Sequence, residues 1–385
     1  MINYGKQFID NDDIKAVTKI LKSKFLTQGP LVNKFEKKLK NFLGSKYCCA
    51  LSSGTAALHL AGLSSLLGKN DYVITSPISF VATSNSILYS NARPIFVDID
   101  ETTYNIDENL VEKKILELKK KNKHIKALIA TDFAGNPCNW KRLKTLSKKY
   151  NFLLINDNCH ALGARYYDDY KYAQKFADIV THSFHPVKQI TTGEGGALLT
   201  NNKKIFQNAI ALRSHGVHKN NKLKKKIGPW YYEMQKLGFN YRLTDFQSAL
   251  GISQLKKLKN FLKKRTEIAK IYDSEFKKNP YLKIPQSNKF SKHAYHLYPL
   301  LINFKKIKKT KKELFKYFEK RDIFLQVHYI PIHLQPYYKK NFKYKIGDFP
   351  VSEKFYSQEI SLPIHYSLKK KDVFKIVKLI NNFVR

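Results

Sequence analysis

Of the 62 lysines in this chain, Lys188 has the neighbours that suit a nucleophile. It lies in Ser183-Phe184-His185-Pro186-Val187-Lys188-Gln189-Ile190-Thr191-Thr192-Gly193-Glu194-Gly195-Gly196. Between Asp178 and Glu194 the only other side chains able to carry charge are the histidines His182 and His185. An ammonium among apolar and hydroxyl groups loses hydration, which lowers its pKa and frees the nitrogen lone pair. Lysines of that kind form Schiff bases with aldehydes. The same setting also fits a lysine that snorkels out of a loop, so other residues must decide.

Three further groups bear on the choice. Asp157 ends the apolar run Phe152-Leu153-Leu154-Ile155 and precedes Asn158, Cys159 and His160. A carboxylate at a buried strand end needs a cation or hydrogen-bond donors, unless it only caps a helix. Ser52-Ser53-Gly54-Thr55 falls between an expected strand and an expected helix, where free N–H groups and the helix dipole favour a phosphate. Phe80, after Pro77-Ile78-Ser79, is placed to cover a flat ring or to pack in a core. One ligand uses all of these: pyridoxal 5′-phosphate, with its aldehyde, phosphate, aromatic ring and basic ring nitrogen. Lys188 would take the aldehyde, Asp157 the ring nitrogen, Phe80 one ring face, and Gly54, Thr55 and Ser183 the phosphate. A lysine that later serves as the base needs its pKa brought down from about 10.4 towards neutrality.

The elements that must position these groups follow from periodicity. Helical spacing of Ile14, Val17, Ile20 and Leu21 predicts a first helix, and Pro30 opens and Gly44 closes a second. Strands are expected at 47–51, 72–75, 94–98, 125–131, 152–157 and 178–184, with a helix at 56–67 and helical patterns between most of the others. That alternation predicts an α/β fold, a mainly parallel central sheet with helices on both faces. A long helix is expected from Thr244, and strands at 296–302 and 324–328 belong to a smaller C-terminal α+β region. The division expected is 1–250 for the large ligand-binding domain and 251–385 for the connecting helix and small domain.

Composition narrows the class. The formal charge of +40 invites a nucleic-acid reading, but only eight of the 70 basic residues are arginine and the lysines are spread along helices. Bidentate recognition of bases and phosphates favours arginine, so the lysines read as solvated faces that also attract small anions. Cys48, Cys49, Cys138 and Cys159 form no CxxC pair, and Cys48 and Cys49 are expected to point to opposite faces of a strand. Neither a zinc site nor a disulfide framework is expected, and a reducing cytoplasm fits. No stretch of about 18 apolar residues predicts a membrane span.

The chain resembles the DegT/StrS-type sugar-nucleotide aminotransferases from end to end. The resemblance rests on Leu26-Thr27-Gln28-Gly29, Ser52 through Leu58, Asp157 through Ala164, Ser183 through Gly196, Arg213-Ser214-His215-Gly216 and Gly238 through Leu243. It implies the fold-type I architecture of pyridoxal-phosphate transferases. Thr75 through Thr83, Ile190 through Gly196, His296-Leu297-Tyr298-Pro299, Gln326 through Ile332 and Glu359-Ile360-Ser361-Leu362-Pro363 resemble most the pseudaminic-acid branch of that family.

That branch implies transfer of an amino group from L-glutamate to C4 of a UDP-linked 4-keto-6-deoxy sugar. A related aminotransferase acting on a gluco-configured 4-keto or a 3-keto sugar nucleotide is the alternative. The resemblance also implies a homodimer with shared active sites, Asn240 reaching the partner's cofactor phosphate. For the substrate it implies Tyr4, Lys24, Phe25, Leu26, Thr27, Gln326, Val327, His328 and Tyr329, beside Gly54, Ser183 and Asn240. Lys188, Asp157 and His160 are the expected catalytic residues. His160 is placed to bond the cofactor's ring hydroxyl, and Arg242 and His328 to meet a diphosphate or carboxylate or to make structural hydrogen bonds. Members of the family that dehydrate instead of transaminating lack the lysine, which is present here.

Overall fold

The computed structural model describes residues 1–218 and 221–385. Its centre is a seven-stranded sheet: β1 (Tyr47–Leu51), β2 (Tyr72–Thr75), β3 (Arg93–Phe96), β4 (Ile125–Thr131), β5 (Leu153–Asp157), β6 (Ile179–Ser183) and β7 (Gly196–Thr200). The spatial order is β1-β7-β6-β5-β4-β2-β3. Only β7 runs antiparallel to its neighbours, closing a hairpin with β6 and pairing with β1 along Cys48–Leu199 and Cys49–Leu198. The mainly parallel α/β sheet expected from the alternating periodicity is therefore what forms.

Both sheet faces are covered. Cys48 packs with Phe35, Leu39, Trp140 and Leu154 on one face, while Cys49 packs with Ala57, Leu60, Leu198 and Ile205 on the other. Two adjacent cysteines in separate cores report the strand's period of two directly. The helix Pro30–Leu43 presents Val32, Phe35, Leu39 and Leu43 to the first core and stops at Gly44, whose φ of 70° continues no helix. Each fully buried Phe or Leu there contributes roughly 1.5–3 kcal/mol.

The 32-residue helix Asp245–Phe276 ties the sheet to the C-terminal part. Its first half gives Ile252, Leu258 and Phe261 to the core against the sheet, and its second half gives Ile268, Ala269, Tyr272 and Phe276 to a separate core. That second core is built on an antiparallel sheet of Leu282–Lys283, Tyr298–Ile302 and Glu359–Leu362, flanked by the helices Lys311–Glu319 and Lys370–Val384.

The strands expected at 94–98, 152–157 and 178–184 form as Arg93–Phe96, Leu153–Asp157 and Ile179–Ser183, and three further elements come out shorter for local reasons. The helix expected over 56–67 is Gly54–Ser64, because Leu66 adopts a φ of 62° and the Leu67 N–H turns back to the Gly62 carbonyl. The strand expected from 296 begins at Tyr298, since the Leu297 and Ala294 N–H groups donate to the Ala134 and Gly135 carbonyls just past β4. Of the strand expected over 324–328, Phe324 pairs with Asn3, and Gln326 makes only a single bridge to Ser361. His328 instead turns its N–H to the Glu359 carboxylate, which a ladder would not allow.

One buried hub holds the strand ends in place. Asp132, just past β4, accepts from the Cys138 N–H (2.8 Å), Trp140 Nε1 (2.9 Å), Tyr172 Oη (2.7 Å), Asn158 Nδ2 (2.8 Å) and Asn156 Nδ2 (3.1 Å). The two asparagines flank Asp157, so this carboxylate fixes the end of β5. Removing an acceptor shared by five buried donors leaves them unsatisfied. Asp132→Ala should therefore lower stability by about 3 kcal/mol or more in a denaturant titration; an unchanged midpoint would contradict the hub.

Candidate active site

Strand ends β1, β2, β4, β5 and β6 open onto one cavity of about 640 Å³, a size usual for a cofactor with its substrate. Its walls include Gly54, Thr55, Phe80, Asp157, His160, Ser183 and Lys188, together with Tyr4, Gln326, Val327, His328 and Tyr329 from the far side. These expected residues, scattered over 326 positions, meet because a parallel sheet gathers its carboxyl ends at one edge.

At the end of β1 the helix Gly54–Ser64 starts with Ser53 as its cap. Ser53 Oγ takes the Ala56 N–H and the Ser53 carbonyl takes that of Ala57. The first N–H groups of a helix have no internal partner, so those of Gly54 and Thr55 remain for an anion. The loop is wedged tightly: a Cβ on Gly54 would lie 2.7 Å from Ser183 Cβ, and one on Gly196 would lie 2.3 Å from the Ser53 carbonyl. Only glycine lets β7 and the Ser183 turn approach this close.

Asp157 is buried and accepts three hydrogen bonds from the protein. Oδ2 accepts from Thr83 Oγ1 at 2.7 Å and Thr131 Oγ1 at 3.4 Å, and Oδ1 from the Cys159 N–H at 3.2 Å. All three are neutral donors, so none of them pairs the carboxylate with a cation, and the cavity it lines is where a cationic group could meet it. Thr83→Val removes the shortest of these bonds. A hydrogen bond to a charged group is worth about 1.5–3 kcal/mol, so the variant should bind pyridoxal phosphate roughly tenfold or more weakly by fluorescence titration. Unchanged affinity would show that Thr83 does not position Asp157.

Lys188 sits in the turn after β6, its Nζ 3.3 Å from His296 Nε2. Burial, the dominant influence, pulls its pKa down; Cys159 and Asp157 oppose the fall and Arg265 adds to it. The lone ammonium expected from the local sequence is thus a member of a cluster. His296 is buried and held well below its usual pKa by burial and by Lys188, so it is neutral and its Nε2 accepts from Lys188. Its hydrogen then lies on Nδ1, a buried atom with no hydrogen bond among the described residues.

His160 is neutral for the same reason, burial first and Lys188 second. Its Nδ1 accepts from the Ala134 N–H (3.3 Å), which leaves Nε2–H for Tyr329 Oη (3.1 Å). Both nitrogens are engaged, so as placed His160 lines the cavity with no nitrogen left for a ring hydroxyl. His328 is pushed down to about 3 by burial and by Lys188. It is uncharged, and of the two roles expected for it the structure shows structural hydrogen bonds, its N–H to Glu359 and its Nδ1 with Ser361 Oγ. Arg242 lies outside the cavity walls, bridging Leu51 through its backbone.

Lys24, Phe25, Leu26, Thr27 and Asn240 are not brought into this cavity. The first four form an exposed loop, where the Leu26 carbonyl takes the Asp245 N–H and Thr27 bridges Thr244. Asn240 is also exposed and bridges Ser214. Conversely, Thr83 and His296 belong to the site although sequence reasoning assigned them no role. Each stood within a motif, but nothing local says that Thr83 faces Asp157 or that His296, 108 residues away, faces Lys188.

The DegT/DnrJ/EryC1/StrS aminotransferase family matches residues 7–381. The chain belongs to this family. The UDP-4-amino-4,6-dideoxy-N-acetyl-β-L-altrosamine transaminase of Campylobacter jejuni is 42% identical over 380 residues, 98% of this chain and 96% of that one. Among solved structures, the Helicobacter pylori PseC, an aminotransferase involved in the biosynthesis of pseudoaminic acid, superposes with a TM-score of 0.90. It is 36% identical, over 100% of this chain and 99% of that one. The PLP form of Spr1654 from Streptococcus pneumoniae superposes with a TM-score of 0.88 at 26% identity, over 99% and 98% of the two chains. The fold-type I expectation holds, and the chain is an aminotransferase of this family.

Proposed function

We propose that the chain uses pyridoxal 5′-phosphate to transfer the amino group of L-glutamate to C4 of UDP-2-acetamido-2,6-dideoxy-β-L-arabino-hex-4-ulose. The product is UDP-4-amino-4,6-dideoxy-N-acetyl-β-L-altrosamine, a step of pseudaminic-acid biosynthesis. The observation that carries the reading is that Lys188, Asp157 and the free N–H groups of Gly54 and Thr55 line one cavity. End-to-end likeness to the Campylobacter and Helicobacter proteins supports the choice of sugar.

The residues present fit the cofactor. Gly54, Thr55 and Ser183 would hold its phosphate, Asp157 its protonated ring nitrogen, Phe80 and His160 its ring faces, and Lys188 its aldehyde carbon. When bound, the cofactor supplies an electron sink for a carbon that loses a proton. The chain supplies the proton's carrier: Lys188, its amine kept available by burial, takes the proton from one carbon and returns it to another. His296 gives that amine a neutral acceptor to rest on. Tyr4 and the segment 326–329 wall the side of the cavity left for the UDP-sugar. A surface of formal charge +40 would concentrate this dianion.

Lys24 to Thr27 and Asn240 are assigned to the partner's site of a homodimer. Phe25 and Leu26, adjacent and 48% and 44% exposed, give this loop an apolar pair that a partner subunit would cover. The enzyme is placed in the cytoplasm, where its four free thiols would stay reduced. No helix among the described residues is long and apolar enough to cross a membrane.

Product analysis with glutamate and a panel of UDP-keto sugars tests the substrate. The L-arabino 4-ulose should be aminated at least about tenfold faster than its gluco-configured epimer, about 1.4 kcal/mol of discrimination. Equal turnover of the two, or preference for a 3-keto sugar, would contradict the assignment.

A further inference from the structure

Three side chains of the far wall form a hydrogen-bonded chain that amine transfer as described does not use. Glu359 opens the strand Glu359–Leu362 and is fully buried. Its Oε2 accepts the His328 N–H at 2.9 Å, and its Oε1 lies 2.6 Å from Ser361 Oγ. Ser361 Oγ is in turn 2.8 Å from His328 Nδ1. His328 lines the cavity, packed against the Tyr4 ring at 5.1 Å, and its Nε2 has no hydrogen bond among the described residues.

A serine hydroxyl has one hydrogen to give, so this chain has two polarities. With Glu359 ionised, Ser361 donates to Oε1 and accepts from Nδ1–H of His328, leaving Nε2 a bare acceptor. With Glu359 protonated, the carboxyl donates to Ser361, Ser361 donates to Nδ1, and Nε2 carries the hydrogen. We propose that Glu359, Ser361 and His328 form a proton relay that moves one proton between the buried carboxyl and the cavity-facing Nε2 of His328. In the outward direction the Glu359 O–H proton passes to Ser361 Oγ and the Ser361 proton to Nδ1. The Nε2 proton then passes to an oxygen in the cavity. One proton leaves, Glu359 becomes a carboxylate, and the imidazole is neutral before and after.

The surroundings suit this exchange. His328 remains uncharged because burial and Lys188 disfavour imidazolium. Burial pushes the Glu359 carboxyl up from the usual carboxylate range, and Lys311, itself pulled down by burial, is the cation that opposes the rise. The other ionisable groups that feel Glu359 are Tyr104 and Tyr329. Glu359 and Ser361 act through His328 and are positioning residues. The identity of the receiving oxygen rests on the proposed function: a sugar ketone oxygen must be protonated before it leaves as water. The relay would lend that proton and then recover it.

Long-range ¹H–¹⁵N spectra of cofactor-free protein labelled in histidine test the relay without substrate, with His328 assigned by its loss in His328→Asn. The expected result is a neutral imidazole that changes from Nε2–H to Nδ1–H in a single transition as pH rises. Glu359→Gln can accept the His328 N–H only while its amide donates to Ser361, so it should pin His328 as Nε2–H at every pH. Ser361→Ala should abolish the transition. A single tautomer across the pH range in the unaltered protein, or an unchanged transition in Glu359→Gln, would overturn the relay. An intact, Glu359-dependent transition in an enzyme that fails to aminate the keto sugar would support the relay and count against the substrate alone.

Discussion

Replacing Lys188 with alanine should abolish amine transfer while the protein stays folded. Lys188 is the one lysine among the described residues that lines the cavity, and its loss removes both the covalent anchor and the base that moves the proton. General acid–base catalysis alone contributes about 10²–10⁴-fold, so 2-oxoglutarate release from glutamate should fall by at least about 10⁴-fold when both roles go. Arginine should not rescue, because a guanidinium cannot be deprotonated in a protein. Truncating a side chain that lines an open cavity leaves little to collapse, and thermal unfolding should shift by no more than a few degrees. Activity of Lys188→Ala within tenfold of the unaltered enzyme would remove the lysine from the chemistry.

The second large effect is expected of Asp157→Asn. The substitution removes the negative charge that would keep a ring nitrogen protonated, and with it the ring's ability to accept electrons. It also misdirects donors. If the amide oxygen faces Thr83 and Thr131, the amide NH₂ meets the Cys159 N–H, a donor against a donor. Cofactor should still bind through its phosphate, but the half-reaction with glutamate, followed by stopped-flow absorbance, should slow by about 10²–10⁴-fold. Full speed would refute the pairing of Asp157 with the ring nitrogen. A variant that no longer binds the cofactor would point to Asp157 as an anchor more than an electronic partner.

Much of this was legible in the sequence because strand ends announce themselves. Apolar runs that stop at Leu51, Thr75, Asp157 and Ser183 locate the sheet edge, and a parallel sheet brings those stops together whatever lies between them. Lys188, Asp157, Gly54 and Thr55 could therefore be read as one site before any coordinates. The far wall could not. The side chain of His328 is fixed by Ser361 and Glu359, more than thirty residues on, and its backbone gives up strand pairing to reach them. His296 meets Lys188 only because its chain docks on Ala134 and Gly135 before entering the small sheet. Periodicity reports which face of an element is buried; it is silent on which polar group a neighbouring domain will present. Charge states are hidden for the same reason. His160, His296 and His328 are all neutral through burial beside Lys188, a property of the assembled wall.

The most direct test of the account is to locate the covalent bond to the cofactor. Protein loaded with pyridoxal phosphate is reduced with borohydride, digested and analysed by mass spectrometry, with and without prior addition of glutamate. The account predicts a phosphopyridoxyl group on the peptide containing Lys188, on no other of the 62 lysines, and largely absent when glutamate is added first. A label distributed over surface lysines, or one on Lys188 that glutamate fails to displace, would contradict it.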